Sequence, residues 1–390
     1  MHLSVIHDIE TVSPQAWNRV AGTDNPFLRH EFLAALEASG CVTESRGWRP
    51  RHLLLHADGP GRGSLLGAVP LYLKNHSYGE YVFDWAWADA YRRAHLEYYP
   101  KLVAAVPFTP ATGARLLVAP DAPPEARARL IDGARALADE YKVSSLHWLF
   151  TDATDTQRLE EHGLLRRNGF QFHWHNHDYR SFDDFLAGFS ADKRKKVKRE
   201  RRQVRDAGVT IETVEAAAIN AELWDIFYGF YLATIEKHGA YPYLTRAFFA
   251  ELGRRMPENL LLILARRENE YLAGAFFVRG ADTLYGRYWG ARAEVHSLHF
   301  EVCYYAAIDH CIAHGLKRFE AGAQGEHKLT RGFLPTPTYS AHWLRHPEFN
   351  RAVADFLARE QHGVNHYIDE LDRHSPFKKE VLISATDEHK

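Results

Sequence analysis

Leu-Leu-Leu-Ile-Leu-Ala (260–265), Tyr-Leu-Ala-Gly-Ala-Phe-Phe-Val (271–278) and Leu-Tyr-Gly-Arg-Tyr-Trp-Gly (284–290) are three short apolar runs separated by turns. Each has the length and residue types of a strand. The same layout stands earlier as His-Leu-Leu-Leu-His (52–56), Leu-Leu-Gly-Ala-Val-Pro-Leu-Tyr-Leu (65–73) and Tyr-Val-Phe-Asp-Trp-Ala-Trp (81–87). In both copies a Gly-Ala pair lies in the middle run and aromatics fill the third. An echo closes each half: Arg167-Asn168-Gly169-Phe170 before His173-Trp174, and Arg331-Gly332-Phe333 before His342-Trp343. A repeat this long is not a solenoid unit and predicts two copies of one α/β domain.

The flanking patterns fit that reading. Phe32, Leu33 and Leu36 have helical spacing, with Gly40 as a stop. Residues 123–141 and 156–168 read as helices on either side of a strand at 144–150, and 171–178 reads as a closing strand. The second half repeats the order: a helix over 221–238, the three strands, a helix over 299–314, a strand over 316–320, a Gly-rich turn into a short helix over 321–333, and an amphipathic helix over 347–373. Between the copies, residues 193–205 hold nine basic side chains and one acid with no Pro or Gly, which predicts a helix with little core face. The expected domains are 1–180 and 181–390, the second opening with this basic helix.

At 390 residues the chain is too long for one ordinary core, and 46% hydrophobic with 25% charged residues is a globular composition. No apolar run approaches the roughly 18–20 residues of a membrane helix, and no signal peptide is evident at the N-terminus. Three cysteines without a CxxC argue against a disulfide framework. A cytosolic protein is expected. A net charge of −2 excludes a molecule built as a whole to coat nucleic acid.

The densest chemical signal is Phe319-Glu320-Ala321-Gly322-Ala323-Gln324-Gly325-Glu326-His327-Lys328-Leu329-Thr330-Arg331. Small residues at a strand end permit positive φ and close approach of a ligand. An acid, an imidazole and cations just beyond supply proton transfer and anion stabilisation. The alternative is a solvated turn with a surface ion pair; the first copy lacks these glycines at 151–157, which favours a function peculiar to the second. The basic run reads either as a solvated face or as a site for phosphate of a nucleotide, a tRNA or a lipid headgroup. His173, His175 and His177 alternate, but 24 histidines make such coincidences common, and no carboxylate pattern completes a site. His310 and His314 lack the Glu of a zincin and read as surface residues, so no metal is expected. GxSxG, Walker A and GxGxxG motifs are absent from the sequence.

The string from His76 to Trp87, with Tyr99-Pro100-Lys101 and Pro107-Phe108-Thr109-Pro110, resembles the FemAB-like N-acyltransferases of the GNAT superfamily, the peptidoglycan biosynthesis/recognition proteins. Leu284 to Gly290, Leu298-His299-Phe300-Glu301 and Gly322 to Lys328 match the same family. The resemblance covers nearly the whole chain. It implies an α/β (α+β) fold of two tandem GNAT-like acyltransferase domains, each a mixed, mostly antiparallel sheet flanked by helices, with the substrate cleft at their junction. It also implies transfer of an acyl or aminoacyl group to an amine, possible acceptors including a cell-wall precursor. Either aminoacyl-tRNA or acyl-CoA would be the donor, and no cofactor would be tightly bound. Fem relatives carry a Phe-Lys pair where this chain has His327-Lys328. The resemblance places Lys328 in charge stabilisation or proton relay and Glu326, His327 and Glu301 as base candidates. Tyr78, Glu80, Asp84, Trp85, Trp87, Tyr99, Lys101, Tyr285, Arg287, Trp289, Gln324 and Arg331 are the substrate-binding candidates. Lys193, Arg194, Lys195 and Lys196 are the phosphate-binding ones. The rival class is a non-catalytic GNAT scaffold that binds a phosphorylated precursor or tRNA.

Overall fold

The three apolar runs of the second repeat form consecutive antiparallel strands in the computed structural model, which describes residues 1–58, 63–323 and 325–378. The strands are β1 (His2–Ile6), β2 (Trp48–Pro50), β3 (His52–His56), β4 (Leu65–Val69), β5 (Leu71–Lys74), β6 (Lys101–Ala104), β7 (Leu117–Val118), β8 (Ser145–Thr151), β9 (Leu165–His175), β10 (Thr210–Glu215), β11 (Leu260–Arg267), β12 (Glu270–Arg279), β13 (Thr283–Ala291), β14 (Arg318–Glu320) and β15 (Leu334–Leu344). By contact the chain divides into two units. The first holds the described residues of Met1–Phe170, Tyr243–Glu251 and Pro337–His366; the second holds Gln171–Pro242, the described residues of Leu252–Thr336, and those from Tyr367 on. The sequence suggests a single break at 180/181, whereas the contact-defined units are discontinuous. The reason is strand exchange: Tyr339–Leu344 of β15 pairs with β8, and His173–His175 of β9 pairs with β14.

In the first unit β1, β3, β4 and β7 make an antiparallel sheet. In a separate sheet β2, β5 and β6 are antiparallel neighbours, β6 runs parallel to β8, and β15 pairs antiparallel with β8. The expected single strand over 65–73 is two strands broken at Pro70, because proline has no N–H to donate to a ladder. The helix Ala126–Glu140 lays Leu130, Ile131, Ala134 and Leu137 on a core with Leu53, Leu55, Leu146 and Trp148.

Two expectations for this half are corrected. Residues 81–87 are not the third strand; β6 takes that place. Tyr81 has φ +61°, and Trp85–Arg93 is a helix whose Trp87 and Tyr91, four apart, pack on Tyr98, Leu344, Val353 and Leu357. The helix expected over 156–168 is Ala153–Glu161: Gly163, at φ +80°, follows its end, and Leu165 begins β9.

The second unit has the order β10-β11-β12-β13-β14-β9. All its neighbours are antiparallel except β13 and β14. One parallel pair within an otherwise antiparallel sheet thus occurs in each unit, which is the mixed architecture expected of tandem GNAT-like domains. The basic run forms the helix Ala191–Asp206, burying Val197, Glu200 and Val204. The helix expected over 299–314 runs as Leu298–Phe300, a π turn at Glu301–Tyr305, and Ala306–Ala313. No helix among the described residues is long and apolar enough to cross a membrane.

Candidate active site

Strands β13 and β14 stay paired from Thr283↔Arg318 to Tyr285↔Glu320. Beyond that point lies a cavity of about 110 Å³, with Gly286 on one side and Ala321 and Gly322 on the other. Gly286 leaves room there: a Cβ would sit 3.3 Å from the Phe319 ring. Tyr288, Trp289, His299, Cys303 and Tyr304 complete much of the wall. Residues of the β12 register shift, Phe276 and Phe277, also line it, so the bulge and the strand divergence coincide.

Gly325, at φ +115°, begins the 3-10 turn Glu326–Arg331, and Gly332, at φ +88°, ends it. This turn carries Lys328 inward, where it is 2% exposed. Its Nζ donates to the Gly322 carbonyl at 2.8 Å, so a buried ammonium is fixed to the backbone of the cavity wall. Burial pushes its pKa down to about 8, against a smaller upward pull from Cys303. His327 is held beside it, with Nε2 2.9 Å from the Tyr304 hydroxyl. Burial first, and then the charges of Arg331 and Lys328, lower the His327 pKa and keep its imidazole neutral. His299, 5.2 Å from Trp289 and 5.3 Å from Tyr304 between ring centroids, is pushed down to about 4 chiefly by burial, with Arg331 and Lys328 acting in the same direction.

The other candidates of this unit occupy different settings. Glu301 lies in the buried π turn and accepts from Arg201 Nε at 3.1 Å and from another guanidinium nitrogen at 2.9 Å; Arg201 also binds Asp309. It is committed to an ion pair and does not line the cavity. Glu326 accepts a hydrogen bond from the exposed Tyr367 hydroxyl. Arg331 is buried, donates to Glu200 at 2.9 Å and to the His327 carbonyl at 2.6 Å, and stacks 3.3 Å above the Phe300 ring. It anchors the turn to the basic helix. Arg287 and Trp289 line the cavity, whereas Tyr285 is buried and does not line it. Gln324 lies outside the described residues. Lys195 and Lys196 border a surface depression with Lys198, Arg199 and Arg202, while Lys193 and Arg194, just before them, stand partly exposed.

Glu320, the last paired residue of β14, was not singled out by the sequence. It is 3% exposed, pairs with Arg318 (Nε to Oε1, 3.2 Å), and lies 4.0 Å from His173 Nε2. Neither carboxylate oxygen has a hydrogen-bond partner among the described residues, and burial raises its pKa to about 7. Its place as the last residue of the strand, just before the Gly-rich turn, was the available signal.

In the first unit Lys101 is fully buried, donating to Ser77 Oγ at 2.7 Å, to Glu80 at 2.8 Å and to Asp84. Burial raises Glu80 to about 7, whereas Asp84 ends near 2 because the attraction of Lys101 and its hydrogen bonds outweigh desolvation. Trp87 packs inward, 4.9 Å from the His342 ring. Tyr99 bonds Ser77 Oγ at 2.9 Å. Of the candidates here, Tyr78 and Trp85 present exposed rings, 5.1 Å apart. Glu80, Asp84, Trp87 and Lys101 form interior structure rather than a solvent-facing wall.

No curated protein matches the chain in sequence. Among solved structures, the chain is similar to FemX, with TM-score 0.54, 13% identity, and 91% of this chain and 99% of that one covered. It is also similar to a conserved protein of unknown function from Bacteroides thetaiotaomicron (TM-score 0.52, 8% identity, 87% and 99% covered) and to L-PGS from Bacillus licheniformis (0.50, 9%, 87% and 98%). At such identities these likenesses concern the fold. The model of the FemAB-like family, described as peptidoglycan biosynthesis/recognition, matches residues 8–379. The chain therefore belongs to the FemAB-like family.

Proposed function

We propose that the protein is an N-acyltransferase that moves an acyl or aminoacyl group from an activated donor onto an amine. The observation that carries this reading is Lys328: a buried ammonium, anchored to a carbonyl of the cavity wall. In amide formation the amine nitrogen attacks the donor carbonyl, and the carbonyl oxygen becomes negative. A fixed cation in a low-dielectric pocket stabilises that charge in the transition state without reorganising. The new C–N bond forms as the C–O bond of an aminoacyl ester, or the C–S bond of a thioester, breaks. The nitrogen becomes acidic once bonded to the carbonyl carbon, so a neutral imidazole suffices to receive its proton. His327, reached through the Tyr304 hydroxyl, is that acceptor, and the leaving group takes a proton in turn.

The family's description favours a cell-wall precursor bearing a free amine as acceptor. The exposed cations of the basic helix favour a phosphate-bearing donor or acceptor, aminoacyl-tRNA among them. The test offers charged tRNAs and acyl-CoAs to the protein with amine-bearing cell-wall precursors, and reads products by mass. A new amide that is lost in K328M supports the reading. Tight binding of these ligands with no amide from any pair would make the protein a binding scaffold instead.

A further inference from the structure

We propose that Glu215, His310 and His314 form a binding site for a divalent transition-metal ion of the zinc class. Glu215 ends β10, while His310 and His314 lie one helical turn apart at the end of Ala306–Ala313. Positions four apart share one helix face, and that face meets the end of the strand. His310 Nδ1 is 3.4 Å and His314 Nε2 is 3.7 Å from the same carboxylate oxygen, Glu215 Oε1. All three ligand atoms lie within 4.8 Å of one another. A tetrahedral ion with bonds of about 2.0–2.1 Å holds neighbouring ligand atoms roughly 3.3–3.5 Å apart, so the two histidine-to-carboxylate separations are close to what it needs.

The proton arrangement points the same way. His314 Nδ1 lies 2.9 Å from the His310 carbonyl oxygen, which can only accept. The proton of a neutral His314 is therefore on Nδ1, and its Nε2 lone pair faces the carboxylate. Such backbone anchoring of the distal nitrogen is how ligating histidines are oriented. The two rings stack with centroids 4.0 Å apart. His310 is 6% exposed rather than on the surface as its sequence suggests, and its Nε2 is buried without a hydrogen-bond partner among the described residues. Two imidazoles and a carboxylate turned toward one point, with separations too long for good hydrogen bonds, are complementary to a cation. Arg279 also acts on His310, and its charge lowers the affinity such a site can reach. The side chains of Glu215 and His314 are 41% and 35% exposed, which leaves a fourth position for water. None of the three lines the acyl-transfer cavity, so the ion would clamp β10 to the helix rather than act on the acyl group.

The test uses the full chain stripped with chelator, titrated with zinc by calorimetry and with cobalt by visible absorption. One equivalent should bind, with the intense d–d bands of a tetrahedral cobalt site, and zinc should raise the Tm. E215Q and H314A, both at partly exposed positions, should each weaken binding at least tenfold while circular dichroism stays unchanged. K328M should bind as the parent does, which separates this site from the proposed reaction. Absence of binding, or binding that persists unchanged in both E215Q and H314A, overturns the proposal.

Discussion

Lys328 Nζ donates to the Gly322 carbonyl at 2.8 Å, joining the 3-10 turn to the backbone that walls the cavity. The bond places one positive charge where β13 and β14 part. Losing such a stabiliser costs about 10²–10³ in rate, so K328M should lower kcat by that factor with little change in KM. Steady-state kinetics with any productive donor check this.

The same ammonium sets a pH dependence. With a pKa near 8, Lys328 is charged below that pH, and kcat should fall as pH rises through it. K328R keeps its charge, so any activity it retains should lack this limb. The stability effect has the opposite sense. The unfolded lysine, at its ordinary 10.5, holds its proton over pH 8–10.5 while the folded one has released it. Unfolding then takes up a proton, so this residue makes stability rise with pH across that window. Urea melts of K328M against the parent should show that slope removed.

Lys101 faces Glu80 and Asp84 in the interior of the first unit, and removing a buried partner strands the opposing charges. K101M should destabilise by about 3–5 kcal/mol in urea unfolding. Asp84, near 2 when folded against 3.8 ordinarily, contributes stability that is present above about pH 4 and lost as pH falls toward 2. D84N should lack that acid-dependent component.

Glycines in β12 and β13 separate two kinds of crowding. A Cβ at Gly290 would lie 1.9 Å from the Phe230 carbonyl oxygen, which is backbone of the helix Ala221–Lys237. At Gly274 it would meet a Leu264 methyl at 2.7 Å, a group that can rotate. G290A should therefore destabilise by about 2–3 kcal/mol and G274A by distinctly less, as judged by urea midpoints.

Lys195, Arg199 and Arg202 share the exposed face of the basic helix. K195E/R199E should weaken tRNA binding, flatten its salt dependence, and leave stability within about 0.5 kcal/mol of the parent. Filter binding at several salt concentrations, with thermal melts alongside, tests this.

The second repeat was legible because β11, β12 and β13 are long and apolar, and their pattern is that of a buried strand. The first repeat misled at 81–87, where aromatic residues suit a strand or a helix equally and only the packing of Trp87 and Tyr91 decides. Periodicity also overran Gly163 because Leu164 and Leu165 continue the helical spacing. At the site, the Gly-rich strand end and Lys328 stood out as a local cluster. Glu320 did not, because its exceptional feature is burial without hydrogen-bond partners among the described residues, which depends on distant parts of the chain. The commitment of Glu301 to Arg201 was hidden for the same reason: one hundred residues separate them. Glu215 and His310 likewise meet only through the fold.

The most direct measurement is single-turnover transfer from a labelled donor to an amine acceptor, comparing the parent with K328M and K328R after a donor panel has found the productive pair. Acyl transfer through Lys328 predicts a labelled amide from the parent, about 10²–10³ less rate in K328M, and partial recovery in K328R without the descending limb near pH 8. Full turnover by a folded K328M would contradict it.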